Sequence, residues 1–417
     1  MSLNDAVPES LLRHRPFMLY WNARIFTSVA FQMAGVAVGW QMYSLTGSAF
    51  DLGLVGLVQF LPAAALMLVA GQLADRYNRR TILQLCQTVE GLAAAMLAVG
   101  SLSGWISKEF ILAAVFLIGC GRAFEATTMQ TLLPAIVPGP LFPRAVAGSA
   151  SANQAATIAG PALGGLLYLF GPEVVYFICA ALFACAALLL IFVQIARADR
   201  TVVRPPVTLE VFFAGVSFIR RNPIILGIMS LDLFAVLLGG ATALLPIFAK
   251  DVFDVGPQGL GLLRAAPAVG ALLIMAVLTR WSLRRGIGRT MFLAVACFGV
   301  ATIVFALSRS LELSLLALAV LGGADAVGVV IRQTLVQLET PDEMRGRVSA
   351  VNALFIGMSN QLGDFRAGMV AFWIGAIPAV LVGGIGTLLV VVLCMRIFPE
   401  LYRVDDYHTR HAQPRQP

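Results

Sequence analysis

Charge, histidine and cysteine are scarce in this chain, and each scarcity excludes a class of protein. Only 12% of the 417 residues are charged, about half of what a soluble globular domain carries. The six cysteines show no Cys-x-x-Cys spacing, so we expect reduced thiols that serve as small core residues. The three histidines fall in the terminal segments, at His14, His408 and His411. A histidine proton relay inside the protein is therefore not expected.

Motifs of nucleotide-driven and hydrolytic proteins are also missing. The glycine-rich run from Gly256 to Gly261 is not followed by Gly-Lys-Ser/Thr, so it is not a phosphate-binding loop and ATP is not expected to drive this protein. The sequence has no Gly-x-Ser-x-Gly elbow and no His/Cys/Asp cluster with metal-ligand spacing. We therefore expect a protein that is not an enzyme and that holds no metal and no cofactor.

Hydrophobic residues are what the sequence has in abundance. They make up 59% of the chain, and the mean hydropathy is +0.87, more than one soluble core can bury. Apolar runs of roughly 20 residues, the length of a helix that crosses a bilayer, recur along the whole chain. We therefore predict an all-α integral membrane protein with twelve transmembrane helices. They lie near residues 17–43, 51–74, 81–103, 109–136, 146–170, 173–196, 223–248, 257–280, 289–308, 312–336, 346–370 and 376–397.

The distribution of basic residues predicts the orientation. Of the 29 lysines and arginines, 21 fall in the two tails and in the even-to-odd connections, and only Lys108, Lys250 and Arg309 fall on the opposite side. Basic residues near span ends resist translocation. We therefore expect a multi-pass protein of the cell inner membrane with both termini in the cytoplasm. The net charge of +7 is spread over short loops, so nucleic-acid binding is not expected.

The chain divides near its middle. We predict a cytoplasmic tail (1–16), a six-helix bundle (17–196), a central cytoplasmic loop (197–222), a second six-helix bundle (223–397) and a cytoplasmic tail (398–417). Within the central loop, Thr208 to Arg221 has the apolar periodicity of a short interfacial helix. A cytoplasmic start of the seventh span accounts for that periodicity equally well.

The two bundles show an internal repeat. A shift of 203 residues places Gln130-Thr131-Leu132 over Gln333-Thr334-Leu335, and it matches further pairs along the two halves. These pairs are Gly119 and Gly322, Pro138 and Pro341, Arg144 and Arg347, and Gly160 and Gly363. A duplication of six helices is the simplest account. We expect two pseudo-symmetric bundles.

Ten ionisable residues lie inside the predicted spans, and they are the candidates for chemistry. They are Arg24, Arg122, Arg264, Arg332 and Arg366, against Glu90, Glu125, Asp232, Asp325 and Asp364. Each costs about 2.5 to 3.5 kcal/mol at a helix centre on insertion scales, so each should face a partner or a watered cavity. Arg122 and Glu125 are three residues apart and share a helix face, as do Asp325 and Arg332, seven apart.

Two interpretations of these charges stay open. Structural pairing between helices accounts for any one of them about as well as a functional role does. On the functional interpretation, the candidates for proton coupling or for the substrate cavity are Arg24, Glu90, Arg122, Glu125, Asp232, Asp325 and Arg332. Arg122 with Glu125 is the favoured coupling pair, followed by Asp232 and Asp325. Asp364 and Arg366 are predicted near the outer end, with structural roles.

The segment GQLADRYNRR, from Gly71 to Arg80, concentrates charge between two apolar runs. It resembles the loop between the second and third helices of the major facilitator superfamily of secondary transporters. The family pattern has glycine at Asn78, and asparagine also tolerates a left-handed turn. The run TPDEMRGRVSAVN, from Thr340 to Asn352, resembles the family's turn between helices ten and eleven. The resemblance implies a cytoplasmic gate in which Asp75 locks to the start of the eleventh helix, formed by Gly71, Asp75, Arg76, Arg79, Arg80, Arg345 and Arg347.

A second resemblance favours export as the direction of transport. Gly160, Pro161, Gly164 and Gly165 in the fifth span resemble the antiporter motif of the same superfamily, and small residues at this spacing let helices approach closely. The segments VAVGWQMYSLTGSAFDLGLVG and QTLVQLETPDEMRGRVSAVN resemble the enterobactin-exporter-like branch of drug:proton antiporters with twelve spans.

This branch implies efflux of small amphipathic or siderophore-like molecules in exchange for protons, by alternating access. The expected partners are the small-molecule substrate, protons as the coupling ion and the lipid bilayer, and a monomer is expected. Proton-coupled uptake and lipid flipping on the same fold are the alternatives. A receptor without transport activity is a further one.

Overall fold

A computed structural model describes residues 11–193, 209–281 and 285–405. The described residues form helices and turns and contain no strand, which confirms the all-α prediction. The first eight helices are α1 (Arg15–Thr46), α2 (Ala49–Arg76), α3 (Arg79–Leu102), α4 (Lys108–Ile136), α5 (Phe142–Leu167), α6 (Pro172–Ile191), α7 (Leu209–Arg221) and α8 (Pro223–Gly239). The remaining helices are the single turn α9 (Leu245–Ile247), then α10 (Gly256–Arg280), α11 (Ile287–Leu307), α12 (Leu311–Glu339), α13 (Asp342–Ile374), α14 (Ala376–Ile397) and α15 (Pro399–Tyr402).

Helices cover all twelve predicted spans, but the seventh is interrupted after α8 ends at Gly239, and the spans are not equally apolar. Ten helical segments of the described chain are long and apolar enough to cross a membrane. The ten do not include α5 and α13, which have 26 and 33 residues. Polar residues at Asn153, Gln154 and Thr157 lower the hydropathy of α5. Hydropathy alone therefore supports ten spans, and helix length supports twelve.

Side-chain caps decide where several helices begin. Ser107 and Ser310 each accept a hydrogen bond from a backbone N–H of the helix that follows, which satisfies a donor left free in the first turn. Asn222 does the same for α8, where its Oδ1 lies 3.1 Å from the nitrogen of Ile224. The chain therefore breaks at Asn222, and α7 is a helix separate from α8.

The charged segment from Gly71 to Arg80 is not the loop that its charge indicates. Helix α2 continues to Arg76 and α3 begins at Arg79, so the connection is two residues long. Asn78 has an extended backbone, with φ −65° and ψ 113°, and its side chain accepts from the nitrogen of Arg80. Asn78 therefore does not adopt the left-handed conformation that asparagine tolerates. A capping side chain starts α3, a role that asparagine fills and glycine lacks.

The chain forms two compact units. Unit 1 comprises residues 1–45 and 58–207, and unit 2 comprises residues 46–57 and 208–417. The core of unit 1 includes Phe17, Tyr20, Leu83, Leu132 and Leu190. The core of unit 2 includes Ile224, Ile228, Phe292, Ile331 and Leu335. The start of α2, which the sequence assigned to the first bundle, clusters with unit 2.

This first part of α2 packs closely on α13 within unit 2. A Cβ added at Gly53 would lie 3.0 Å from the backbone oxygen of Phe365, and one added at Gly368 would lie 2.7 Å from the Cα of Gly53. Next to this crossing, the Phe50 ring lies edge-on to Phe365, with centroids 6.0 Å apart, and to Phe372 at 6.1 Å. Paired glycines thus bring two backbones together and aromatic rings fill the flank.

The internal repeat also appears in the packing of each unit. A Cβ at Gly119 on α4 would lie 2.4 Å from the backbone oxygen of Gln59 on α2. A Cβ at Gly322 on α12 would lie 2.0 Å from the backbone oxygen of Pro267 on α10. In each unit, the fourth helix of the repeat therefore touches the backbone of the second helix. The contact lies at the glycine that the shift of 203 residues aligns with a glycine of the other unit.

A second glycine pair of the register behaves in the same way. Gly160 lies against α1, where a Cβ would be 2.6 Å from the Cβ of Gln32. Its counterpart Gly363 lies against α8, where a Cβ would be 2.9 Å from the backbone oxygen of Val236. Both contacts join the fifth helix of the repeat to the first.

All six cysteines lie within the described residues and are free. Cys86, Cys179 and Cys394 are buried, and Cys179 donates to the backbone oxygen of Ala30 at 3.3 Å. Cys185 is exposed on α6. The expectation that all six are core residues is therefore wrong for Cys185, because the helix face that carries it is not covered by the described chain.

Candidate functional site

A cluster of charged side chains lies on α3 and α4 in unit 1. Arg122 donates to Glu125 with a separation of 2.7 Å, so the pair predicted from the i, i+3 spacing is present. The guanidinium of Arg122 also lies over the Phe31 ring, 4.2 Å from its centroid, which is a stabilising cation–π geometry. Glu90 on α3 lies within electrostatic range of both Arg122 and Glu125. We call Glu90, Arg122 and Glu125 the unit 1 triad.

Arg24, a further candidate, lies beside Tyr20 on α1, and the Tyr20 hydroxyl is within electrostatic range of Glu125. The Nη1 of Arg24 donates to the Tyr20 hydroxyl at 3.1 Å, one helical turn earlier. The Tyr20 hydroxyl in turn donates to the backbone oxygen of Met129 at 3.4 Å. This chain of contacts ties α1 to α4 and orients the arginine.

A second cluster lies on α8 and α12 in unit 2. Arg332 forms an ion pair with Asp232, whose side chain is 16% exposed while that of Arg332 is 4% exposed. A cavity of about 20 Å³ borders Asp232 and Asp325, enough room for one water molecule. The pairing of Arg332 with Asp232 was not foreseen from the sequence, because the two residues are 100 positions apart. We call Asp232, Asp325 and Arg332 the unit 2 triad.

The two triads have the same charge count. Each contains two carboxyl groups and one guanidinium, so each carries a net charge of −1 when all groups are ionised. Glu90, Glu125 and Arg332 are the buried members, whereas Asp325 is exposed. An unpaired charge is costly at the buried positions, and binding one proton or one monovalent cation neutralises each triad. Among the described residues, no group of three or more His, Cys, Asp or Glu side chains is arranged to hold a metal ion.

The predicted gate residues fall into two groups. Arg79 donates to the backbone oxygen of Thr131 at 3.0 Å, and Arg80 donates to that of Ile191 at 3.0 Å. These contacts bind the start of α3 to α4 and to the end of α6, where a basic side chain satisfies a free carbonyl. The structure does not describe the side chains of Asp75 and Arg76, or the surroundings of Gly71. The lock between Asp75 and the eleventh helix stays a prediction.

The arginines predicted on the other side of that gate lie at the start of α13. Arg345 donates through Nε to the backbone oxygen of Gln337 at 3.4 Å. Arg347 reaches the sulfur of Met344 at 3.5 Å, and its backbone oxygen lies 3.0 Å from where a Cβ at Gly215 would be. Helix α7 therefore packs directly on the start of α13 within unit 2.

Gly160, Pro161, Gly164 and Gly165 are all buried in α5. A Cβ at Gly164 would lie 2.9 Å from the Cα of Met33 and 3.0 Å from its backbone oxygen. Together with the contact of Gly160 on Gln32, this places α5 and α1 in backbone contact. Small residues allow such an approach, so the motif fixes a helix pair in unit 1.

Gly164→Ala is expected to lower the free energy of unfolding by about 1 kcal/mol, because the new methyl group meets the α1 backbone. Gly148→Ala on the same helix is the matched control. Its nearest neighbour would be the Phe17 ring at 3.8 Å, an ordinary contact. Thermal unfolding of the two variants in one detergent compares them. Equal unfolding midpoints for the two variants would show that the α1–α5 contact does not depend on Gly164.

Three other charged residues serve to hold helices together in unit 2. Asp364 accepts from the Thr242 hydroxyl at 2.9 Å and lies within electrostatic range of Arg264. Arg366 donates to the backbone oxygen of Leu238 at the end of α8. These contacts fasten α13 to α8 and to the turn that follows it, which agrees with the structural roles expected for Asp364 and Arg366.

Comparison of the sequence with known families identifies related proteins along nearly the whole chain. A family model described as "Transmembrane secretion effector" matches residues 7–416. The enterobactin exporter EntS of Salmonella choleraesuis (strain SC-B67) is 26% identical over 408 residues, which cover 94% of this chain and 95% of the exporter. The relationship therefore extends over both units.

Solved structures with the same fold are transporters. A bacterial homologue of the human lysosomal transporter Spinster, in an inward-facing and unoccupied conformation, superposes with a TM-score of 0.74 at 16% identity, over 94% of this chain and 99% of that one. A POT family transporter in complex with 5-aminolevulinic acid gives a TM-score of 0.75 at 10% identity, over 95% and 98% of the two chains. At these identities the likeness supports the fold alone.

Proposed function

Since the chain belongs to the transmembrane secretion effector family, in the branch of the major facilitator superfamily that contains the enterobactin exporters, we propose that it exports small amphipathic molecules in exchange for protons. It is a multi-pass transporter of the major facilitator type. The proposal has three further parts: the direction is export, transport is coupled to protons and proceeds by alternating access, and the protein lies in the inner membrane with both termini in the cytoplasm. Catecholate siderophores are the first substrate class to test, because the relative is an enterobactin exporter.

The observation that carries the proton coupling is the charge count of the two triads. Each triad combines two carboxyl groups with one guanidinium, and Glu90, Glu125 and Arg332 are each at most 4% exposed. Charged groups inside membrane helices are expensive and mark ion pathways and proton relays. A proton is the smallest cation that removes the remaining charge of a triad, so proton binding and substrate release can share these residues.

Vesicles turned inside out test direction and coupling together. They present the cytoplasmic face to the medium, so an exporter accumulates its substrate in the lumen when respiration acidifies it. We expect accumulation of enterobactin or of the cationic dye ethidium, and release when nigericin collapses the pH gradient. Vesicles without the protein are the control. Accumulation that survives nigericin would contradict proton antiport, and substrate loss from preloaded vesicles would instead favour uptake.

Asp75→Asn is expected to reduce the rate of accumulation at least tenfold and to leave the amount of protein in the membrane unchanged. The proposed reason is loss of the carboxylate that locks to the start of α13 when the cytoplasmic side is closed. Arg80→Lys is the comparison, because its contacts to α6 are structural and a lysine can still reach one of the two carbonyls. A transport rate for Asp75→Asn equal to that of the unsubstituted protein would rule out the lock.

A further inference from the structure

Glu90 has no exposed surface and is the most deeply buried charged side chain among the described residues of unit 1. Neither of its carboxyl oxygens has a hydrogen-bond partner among the described residues. The carboxyl group lies against the backbone of α4 at Gly121, where an added Cβ would come 2.7 Å from its Oε1. An ionised carboxylate in such a place is several kcal/mol more costly than a neutral acid. The geometry therefore favours a protonated Glu90 in this conformation.

The other two members of the triad are already paired with each other. Arg122 directly follows the glycine that makes room for Glu90, and its guanidinium is 2.7 Å from Glu125. The Arg122 side chain is 34% exposed, whereas that of Glu125 is 5% exposed. One arginine therefore stands within electrostatic range of two acids and in this conformation binds one of them.

The surroundings of Glu90 contain few other ionisable groups. Its own helix presents Cys86 one turn earlier, and α4 presents Arg122 and Glu125. The residue after Glu90 on α3 is Gly91, which faces α6 at Phe183 and at the backbone of Ala180. Toward α1, Gln87 accepts from the Thr27 hydroxyl at 2.7 Å. Arg24 on α1 donates to Tyr20, whose hydroxyl lies within electrostatic range of Glu125. Arg122 is therefore the cation that a deprotonated Glu90 would attract.

We propose that Glu90 is the proton-carrying group of unit 1 and that Arg122 exchanges its partner from Glu125 to Glu90 when that proton leaves. The inference rests on the proposed proton-coupled function and names the residue that performs it. The proton on the Glu90 carboxyl passes to water, which gives a carboxylate and a hydronium ion. Arg122 then turns toward the new charge, and Glu125 is left without its cation. Proton loss on α3 is thereby converted into a side-chain movement on α4.

Infrared spectroscopy of the full-length protein in lipid bilayers tests this proposal without any substrate. Protonated carboxylic acids have a carbonyl stretch that is separate from the amide bands and shifts on transfer to D₂O. We expect the spectrum at neutral pH to contain such a band, which Glu90→Gln removes and the matched variant Glu125→Gln retains. Arg122→Gln should add a second acid band, because Glu125 loses its partner. A band unchanged by Glu90→Gln, or lost in Glu125→Gln, would overturn the proposal.

Thermal stability provides an independent measurement on the same proteins. Glutamine has the shape of a neutral glutamic acid, so Glu90→Gln is expected to leave the unfolding midpoint unchanged or raise it. Glu125→Gln breaks an ion pair and is expected to lower it. A lower midpoint for Glu90→Gln than for Glu125→Gln would mean that Glu90 is ionised and paired, and the proposal would fail.

Gly121→Ala keeps all three charged groups and places a methyl group where Glu90 lies. We expect it to move the pH at which the Glu90 band disappears. An unchanged transition pH would show that the acid does not depend on the space beside Gly121. The transport assay stays separate from these measurements. If the band behaves as expected and vesicles show no proton-dependent accumulation, the protonation of Glu90 stands and the proposed function fails.

Discussion

Asp232→Ala is expected to lower the free energy of unfolding by about 3 to 5 kcal/mol and to abolish proton-dependent accumulation. The substitution leaves Arg332, which is 3% exposed, as a buried charge without the carboxylate that forms its ion pair. Breaking such a pair costs far more than its net contribution to stability, because the remaining charge keeps its desolvation penalty. Thermal unfolding in detergent and the vesicle assay measure the two effects separately.

The double variant Asp232→Leu/Arg332→Met distinguishes a structural pair from a functional one. It removes both charges and keeps side-chain volume, a replacement that is often neutral or stabilising in buried sites. We expect stability to return to at least the level of the unsubstituted protein, while proton-dependent accumulation stays absent. If transport returned along with stability, the pair would serve only to join α8 and α12.

Gly322→Ala is expected to cost roughly 3 kcal/mol, near the upper end of what overpacking costs. The new Cβ would lie 2.0 Å from the backbone oxygen of Pro267 and 2.5 Å from its carbonyl carbon, so α10 and α12 must move apart. The same two helices are equally close at a second point, because a Cβ at Gly270 on α10 would lie 1.8 Å from the backbone oxygen of Ala319 on α12. Backbone atoms cannot rotate away as side chains can.

Gly328→Ala on the same helix is the matched control for this prediction. A Cβ there meets nothing within 4 Å, and alanine in a helix interior is favoured over glycine by roughly 0.5 to 1 kcal/mol. Glycine to alanine is thus expected to lower the free energy of unfolding at one position of α12 and to raise it at another, six residues away. Two variants with equal unfolding midpoints would show that the α10–α12 contact is not set by Gly322.

Local sequence patterns predicted much of what the structure shows. The twelve apolar runs coincide with long helices because a bilayer-length hydrophobic segment has few other stable forms. The Arg122–Glu125 pair was predictable because residues three apart on a helix are neighbours. The periodicity of α7 was also visible. Its separation from α8 depends on the capping side chain of Asn222, which an apolar pattern does not report.

Contacts between distant segments were beyond sequence reasoning. The partner of Arg332 was expected on its own helix, at Asp325, yet the ion pair joins it to Asp232 on α8. Which of several acids an arginine meets depends on how helices pack, and periodicity gives only the face of each helix. The gate role of Arg79 and Arg80 stays a prediction from resemblance, and the sequence did not reveal that their side chains bind carbonyls near the ends of α4 and α6.

The paired glycine contacts affect how the ancestry of the two halves can be read. Gly119 and Gly322, like Gly160 and Gly363, sit where one methyl group does not fit, so identity between the halves persists where backbones touch. The same alignment places Arg122 over Asp325, opposite charges at equivalent places. The repeat in this chain is thus preserved in the helix scaffold, while the charged groups within the helices differ between the halves, so those charges can be exchanged without disturbing the glycine contacts that hold the helices.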